Sequence, residues 1–200
     1  MDANMQRRLI VETANVVVGH ADELTTLDQA IGDGDHGLNM KRGAMAILER
    51  VDDLAEKSLP DALKTAGQTL VMKVGGASGP LYGTLLMTLG KELPAAPKQD
   101  DVVRALGAAV AAVKKIGRSD VGQKTMLDVF GPVHEELALG GPALLDRVRQ
   151  RAAAAAEATV SMKATKGRAS FLGDRSIGHM DPGARSSMLM IAAVCTVMEE

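Results

Sequence analysis

The chain has 200 residues, 46% of them hydrophobic, with 23 lysines and arginines against 25 aspartates and glutamates and a formal charge of −2. That length suits one domain with a sizeable core, and the lack of a basic excess leaves no nucleic-acid footprint. A single cysteine, Cys195, excludes an internal disulfide framework and a multi-thiolate zinc site; the apolar run around it, MLMIAAVCTVM, reads it as a small buried hydrophobe.

Aromatic residues make up 2% of the chain, with no tryptophan, one tyrosine and two phenylalanines. Alanine favours helix and methionine fills irregular gaps, so the apolar surface they supply suits closely packed helices rather than a sheet. The N-terminus, MDANMQRRLIVE, sets charges close around any apolar stretch. Neither a signal peptide nor a membrane span is read there, and a soluble cytoplasmic protein is expected.

Residues 5–18 read as a helix with Leu9, Val16 and Val17 on the apolar stripe and Arg7, Arg8 and Glu12 on the polar side. The polar, glycine-broken stretch LDQAIGDGDHGLNM (27–40) follows. Helical spacing resumes from Leu38 to Leu54, carried by Met40, Ala44, Ile47 and Leu48. Ser58 as cap and Pro60 open the next helix, which runs through Leu63, Ala66, Leu70 and Val71 until VGGASGP breaks it. Another spans about Leu81 to Leu89, LPAAPKQD is a surface linker, and Asp100 to Ile116 is clearly amphipathic. After GRSDVGQ, Thr125 to Leu137 reads as helix with a kink or break expected at Gly131-Pro132. An alanine-rich helix covers Leu144 to about Ala164, and a last one runs from about Ser186 to Met198. Between these two lies a long polar loop, TKGRASFLGDRSIGHMDPGARS, and long loops without structure of their own are often functional. Eight helices with mostly short connections and no alternating strands predict a single all-α domain over residues 1–200, most simply a bundle of antiparallel neighbours.

The chemistry concentrates in three glycine-containing loops. Asp28, Asp33 and Asp35 lie within eight residues, and converging carboxylates repel unless a cation neutralises them. Their hard oxygens suit Mg²⁺, although the same stretch is equally a solvated turn with an Asx cap. His36 and Asn39 stand next to the carboxylates, either to contact a phosphate or to fix the loop. In GGASGP (75–80) the glycines let backbone amides approach an oxyanion and Ser78 adds a hydroxyl, with a plain helix–helix turn as the alternative. In KGRASFLGDRSIGHMDPGA (166–184), Lys166, Arg168 and Arg175 are cations available for phosphates or simply surface charges. Lys124 and Thr125 cap a helix or border a pocket, and Tyr82 reads as an ordinary helix residue. If the loops meet at one end of a bundle, they place an acidic metal site beside phosphate donors, which suits phosphoryl transfer.

Four segments in this order, GDGDHGLNMKRG, GGASGPLYGT, GQKTMLDVF and KGRASFLGDRSIGHMDPGA, resemble the nucleotide-binding L subunits of dihydroxyacetone kinases and the equivalent domain of single-chain, ATP-dependent relatives. The resemblance runs from about residue 24 to the C-terminus. It implies an antiparallel eight-helix barrel with a nucleotide at one end. It implies that Asp28, Asp33 and Asp35 hold two Mg²⁺ ions bridging the phosphates of ADP or ATP. His36, Gly37, Leu38 and Asn39 would line the nucleotide, Ala77 and Ser78 the phosphate loop, and Gly117 and Met126 further lining positions. Arg168 would approach the nucleotide, and Asp181, Pro182 and Gly183 would complete the pocket. Two branches of the family differ in donor. In one, a phosphohistidine M subunit, fed from phosphoenolpyruvate, recharges retained ADP; in the other, ATP exchanges freely. In the first branch the acceptor, dihydroxyacetone, is held covalently by a separate K subunit. A nucleotide-sensing binding protein is the reading from outside enzymology.

Overall fold

Local signals decide several helix starts. Asp2 accepts a hydrogen bond from the Met5 amide at 2.8 Å, and Ser58 accepts one from Asp61 just ahead of Pro60. The structure, a computed structural model, describes residues 2–199. Those residues form ten α-helices: α1 (Ala3–Gly19), α2 (Ala21–Ile31), α3 (His36–Leu48), α4 (Val51–Ala55), α5 (Leu59–Lys73), α6 (Ser78–Glu92), α7 (Gln99–Gly117), α8 (Leu127–Leu139), α9 (Leu144–Ala158) and α10 (Pro182–Glu199). There is no strand among the described residues, and no helix there is long and apolar enough to cross a membrane.

Eight of the helices close a ring. α1 packs on α3, then α5, α6, α7, α8, α9 and α10 follow, and α10 returns to α1. Ring neighbours alternate in direction. With an even number of members, every neighbour is antiparallel and the ring closes without a parallel pair. The core is lined by small side chains: Ala105, Ala109, Ala152, Ala156 and Ala184 are fully buried, interleaved with Val113, Leu127 and Val129. Small residues let helix axes approach closely. One close approach joins α5 and α6, where a Cβ on Gly67 would lie 2.7 Å from the Gly83 carbonyl oxygen.

Two helices stand outside the ring, and both depart from the sequence reading. α2 occupies what reads as a polar stretch. It crosses one end of the barrel, packs on α3 and α10, and is tied to α10 by Arg185 against Glu23 at 2.7 Å. The helix expected over Leu38–Leu54 is divided at Glu49 and Arg50 into α3 and the short α4. The buried Gln6 amide donates to the Leu54 and Lys57 carbonyls at 2.7 and 3.0 Å, holding the end of α4 against α1.

Three further boundaries move. α8 is not interrupted at Gly131-Pro132, because burial of Val129, Phe130 and Val133 carries it through the bond that Pro132 cannot make. α9 ends at Ala158, followed by a 3-10 turn over Thr159–Ser161. The long loop holds 3-10 turns over Arg168–Ser176, broken at Gly173. As expected, Cys195 is a buried free thiol.

The close α5–α6 contact gives a test of sign. Alanine is a better helix former than glycine by about 1 kcal/mol. Gly19→Ala, where an added Cβ meets nothing within 4 Å, should leave the melting temperature unchanged or raise it. Gly67→Ala should lower the unfolding free energy by about 1–3 kcal/mol in denaturant titration, since the new carbon meets backbone.

Candidate metal and phosphate site

Alternation around the ring brings the amino ends of α3, α6, α8 and α10 to the same end of the barrel. Each such end carries unpaired amides and about half a positive charge. Anions are favoured there before any side chain is considered.

Asp28 sits in the last turn of α2, buried, and its carboxylate crosses to the start of α3. Its Oδ2 accepts the amides of Asp35 and His36 at 2.8 and 3.1 Å. Gly32 is needed for that approach, since a Cβ there would lie 2.1 Å from Asp28 Oδ1. Carboxylate oxygens of Asp28, Asp33 and Asp35 lie within 4.8 Å of one another, with Asp33 and Asp35 facing solvent. Three hard donors at that spacing suit a divalent cation that retains water and shares its other positions with phosphate oxygens. The guanidinium of Arg168 stands beside this group, its Nε 3.0 Å from Asp33 Oδ2. An apolar cluster of Ile31, Ala164, Ala169 and Leu172 brings the long loop to the end of α2 and sets that distance.

The glycine loop lies next to the carboxylates. A Cβ on Gly75 would be 2.8 Å from Asn39 Oδ1, and one on Gly76 would be 4.0 Å from Asp35 Oδ2. Gly76 has φ of +63°, the left-handed region that glycine adopts at no cost. α6 then starts at Ser78, after Ala77, with no side chain capping its amides. The loop that leads into this uncapped helix start therefore runs beside Asp35, and free amides next to an acidic group suit a metal-bound polyphosphate.

Of the residues expected to line a nucleotide, only some present side chains outward. Leu38 does, at 57% exposure. His36 turns inward, bonded through Nδ1 to Ser78 Oγ at 3.0 Å and through Nε2 to Ser186 Oγ at 2.9 Å. Desolvation pulls its pKa down against the pull of Asp28 and Asp35. Gly37 is packed against the Ala21 carbonyl of α2, and Asn39 is buried under the glycine loop. Gly117 closes α7 beside Leu81 of α6, and Met126 is buried against Gly183. Asp181 caps α10, accepting the Ala184 amide at 2.7 Å with Pro182 in the first turn, which is why α10 starts before Ser186. Burial pushes the Asp181 carboxyl up to about 7; Asp128 adds to this, while Lys124 and the capping bond oppose it.

Two supports escape the sequence reading. Tyr82, read as ordinary, is the centre of a buried network: its hydroxyl meets the Ser186 and Ser187 hydroxyls, each at 2.8 Å, and the Gly183 carbonyl at 3.0 Å. Burial raises its pKa well above the usual phenol range. The clue was a lone tyrosine in a nearly aromatic-free chain, paired with two adjacent serines opening an apolar helix. The other is Lys124, 1% exposed, whose ammonium ends among backbone carbonyls of the long loop.

A model of the DAK2 domain matches residues 30–196. The chain is 46% identical over 172 residues to the ADP-binding subunit of a PEP-dependent dihydroxyacetone kinase from Listeria innocua, covering 86% of this chain and 84% of that one. It is 40% identical over 188 residues to the corresponding Escherichia coli subunit, covering 90% of each. The crystal structure of the dihydroxyacetone kinase from C. freundii in complex with AMP-PNP and Mg²⁺ matches 98% of this chain with a TM-score of 0.81 at 26% identity, and this chain spans 34% of that longer one. The chain thus belongs to the DAK2-domain family and is a homologue of the ADP-binding L subunits of phosphoenolpyruvate-dependent dihydroxyacetone kinases.

Proposed function

We propose that this chain is the nucleotide-binding subunit of a phosphoenolpyruvate-dependent dihydroxyacetone kinase. It holds ADP or ATP with two Mg²⁺ ions and passes the γ-phosphoryl group to dihydroxyacetone presented by a separate K subunit. The observation that carries this reading is the Asp28, Asp33 and Asp35 group beside the glycine loop that leads into the uncapped start of α6. Bound Mg²⁺ supplies neutralisation of the phosphate oxygens on which charge develops in transfer. The chain's own residues orient: the carboxylates fix the triphosphate's position, and the α6 amides with Ser78 cradle its oxygens. Arg168, exposed and on a loop, is free to turn from Asp33 toward a phosphate. Asp181, Pro182 and Gly183, with Met126, wall the nucleotide on the α10 side.

A phosphohistidine M subunit is the proposed source of the phosphoryl group. High identity to subunits named for PEP dependence supports it. Free ATP as donor is the second reading, favoured by the fold shared with a kinase solved with AMP-PNP. Gel filtration in Mg²⁺ buffer separates them. Retained ADP, and transfer that requires the phosphohistidine protein, supports the first. Rapid nucleotide loss, and turnover with ATP and the K subunit alone, establishes the second.

Asp33→Asn should weaken Mg-ADP binding by about tenfold or more in calorimetry. The helical circular dichroism and melting temperature should stay unchanged, because Asp33 is surface-exposed and its ion pair with Arg168 is worth about 0–1 kcal/mol at most. Unaltered affinity would refute the site.

Asp181 gives a pH test on nucleotide-free protein. Its folded pKa lies above the unfolded value of about 3.9. Between that value and about 7, the folded chain keeps a proton that the unfolded chain has lost, so stability falls as pH rises through this window. Asp181→Asn keeps the cap and removes the titration. Thermal melts at about pH 5 and about pH 8 should show a smaller drop in the variant than in the wild type.

A further inference from the structure

The connection from α9 to α10 carries Arg168 and leads into Asp181, yet has little regular structure to hold it. Its own bonds are local: Ser176 Oγ accepts the Ala164 amide at 2.9 Å, and the Gly178 amide reaches the Val160 carbonyl at 2.8 Å. Besides the apolar contact with Ile31 of α2 and the exposed Arg168–Asp33 pair, a buried polar anchor, Lys124, ties it to the barrel. The ammonium donates to the carbonyls of Met162, Ser176 and His179 at 3.1, 2.6 and 2.5 Å. An ammonium has three protons, and each has an acceptor. The acceptors come from three separate points along the loop, so one side chain ties those points together. Beside it, the Thr165 amide reaches the Gln123 carbonyl at 3.4 Å.

The other side of the joint is equally fixed. Lys124 has φ of +63°, a left-handed conformation that a lysine adopts only when its surroundings impose it. Asp128, buried in the first turn of α8, imposes it. Its carboxylate accepts the Gly122 and Thr125 amides, on either side of Lys124. Burial pulls the ammonium's pKa below that of an ordinary lysine, and Asp181 nearby opposes this. Two residues on, Met126 packs against Gly183, so the α7–α8 and α9–α10 loops meet again at the pocket wall.

We propose that Lys124 is the positioning residue that holds the α9–α10 loop closed over a bound nucleoside diphosphate, and so sets how slowly that nucleotide leaves. The inference rests on the chain being a nucleotide-binding subunit. Opening the loop far enough to release nucleotide pulls the carbonyls from an ammonium that has no other partner for its protons. Lys124→Met keeps the length and apolar stem of the side chain and removes the donors.

The test is displacement of a fluorescent ADP derivative from Mg²⁺-loaded wild type and Lys124→Met, read by stopped flow. Mn²⁺ affinity of the nucleotide-free proteins is read alongside by paramagnetic resonance. The variant should release the nucleotide roughly tenfold faster or more, since each charge-assisted bond is worth about that factor. Its Mn²⁺ affinity should stay within about twofold, because Lys124 touches none of the three aspartates and the loop's one contact with them, Arg168 on Asp33, is an exposed pair. Equal release rates overturn the inference while leaving the nucleotide reading intact. Loss of Mn²⁺ affinity in step with faster release also overturns it, as general loosening. A wild type that binds no ADP removes both. If Lys124→Met does not fold, hydrogen exchange on the wild type decides: ADP should protect residues 122–126 and 162–179 together, and protection that leaves either segment unchanged refutes the clamp.

Discussion

Closure of an even ring of alternating helices is the constraint on which the site depends. Once α1 packs on both α3 and α10, the amino ends of α3, α6, α8 and α10 share one end of the barrel. The field of four helix termini favours negative charge there. Three aspartates at this end are therefore less costly than three converging carboxylates elsewhere, and Asp28 uses the field directly by accepting the first amides of α3. The same field favours phosphate. The acidic group and an anionic ligand compete for it, which is why a divalent cation between them fits the arrangement so well.

Two different devices hold the loops in place. Around His36 the support is neutral: hydroxyls of Ser78, Ser186, Ser187 and Tyr82 join α3, α6 and α10 through a buried chain of hydrogen bonds. Such a network fixes geometry while carrying no net charge into the core. Around Lys124 the support is a buried cation solvated by carbonyls. Removing a member of the first leaves unpaired hydroxyls inside the barrel. Removing the second frees a loop at its surface, so the two act on different parts of the site.

The helical class was legible in the alanine-rich, aromatic-poor composition, and the acidic cluster was legible as a cluster. α2 was hidden for a physical reason. Its buried face is Ala21, Leu24, Asp28 and Ile31, a helical stripe in which one position is the carboxylate of the site. Function interrupted the apolar period by which a helix is recognised. The α3–α4 break has no glycine or proline to announce it. It follows Arg50, whose guanidinium reaches Asp53 and the Thr69 hydroxyl of α5, a tertiary contact invisible to local patterns. Ring closure was implied by family resemblance alone, because periodicity says which face is buried and not against what. Lys124 stayed ambiguous because a lysine is almost always solvated, and nothing in QKTM distinguishes one whose acceptors lie far along the chain.

The division of labour proposed with a K subunit is consistent with how the titratable groups are placed. At the site end, Asp28 is bonded to the start of α3, Asp128 to two loop amides and Asp181 to the start of α10. His36 has both ring nitrogens occupied, and Lys124 has all three protons placed. Each of these buried groups already serves a structural bond. Of the three clustered carboxylates, Asp33 and Asp35 face solvent, where a metal and its phosphates would claim them. Under the proposed function, such a barrel end holds and orients a metal-bound polyphosphate, and none of these bonded groups is committed as base for the acceptor hydroxyl. Under the proposed function that proton is handled by the subunit that presents dihydroxyacetone, and transfer becomes competent only when the two surfaces meet.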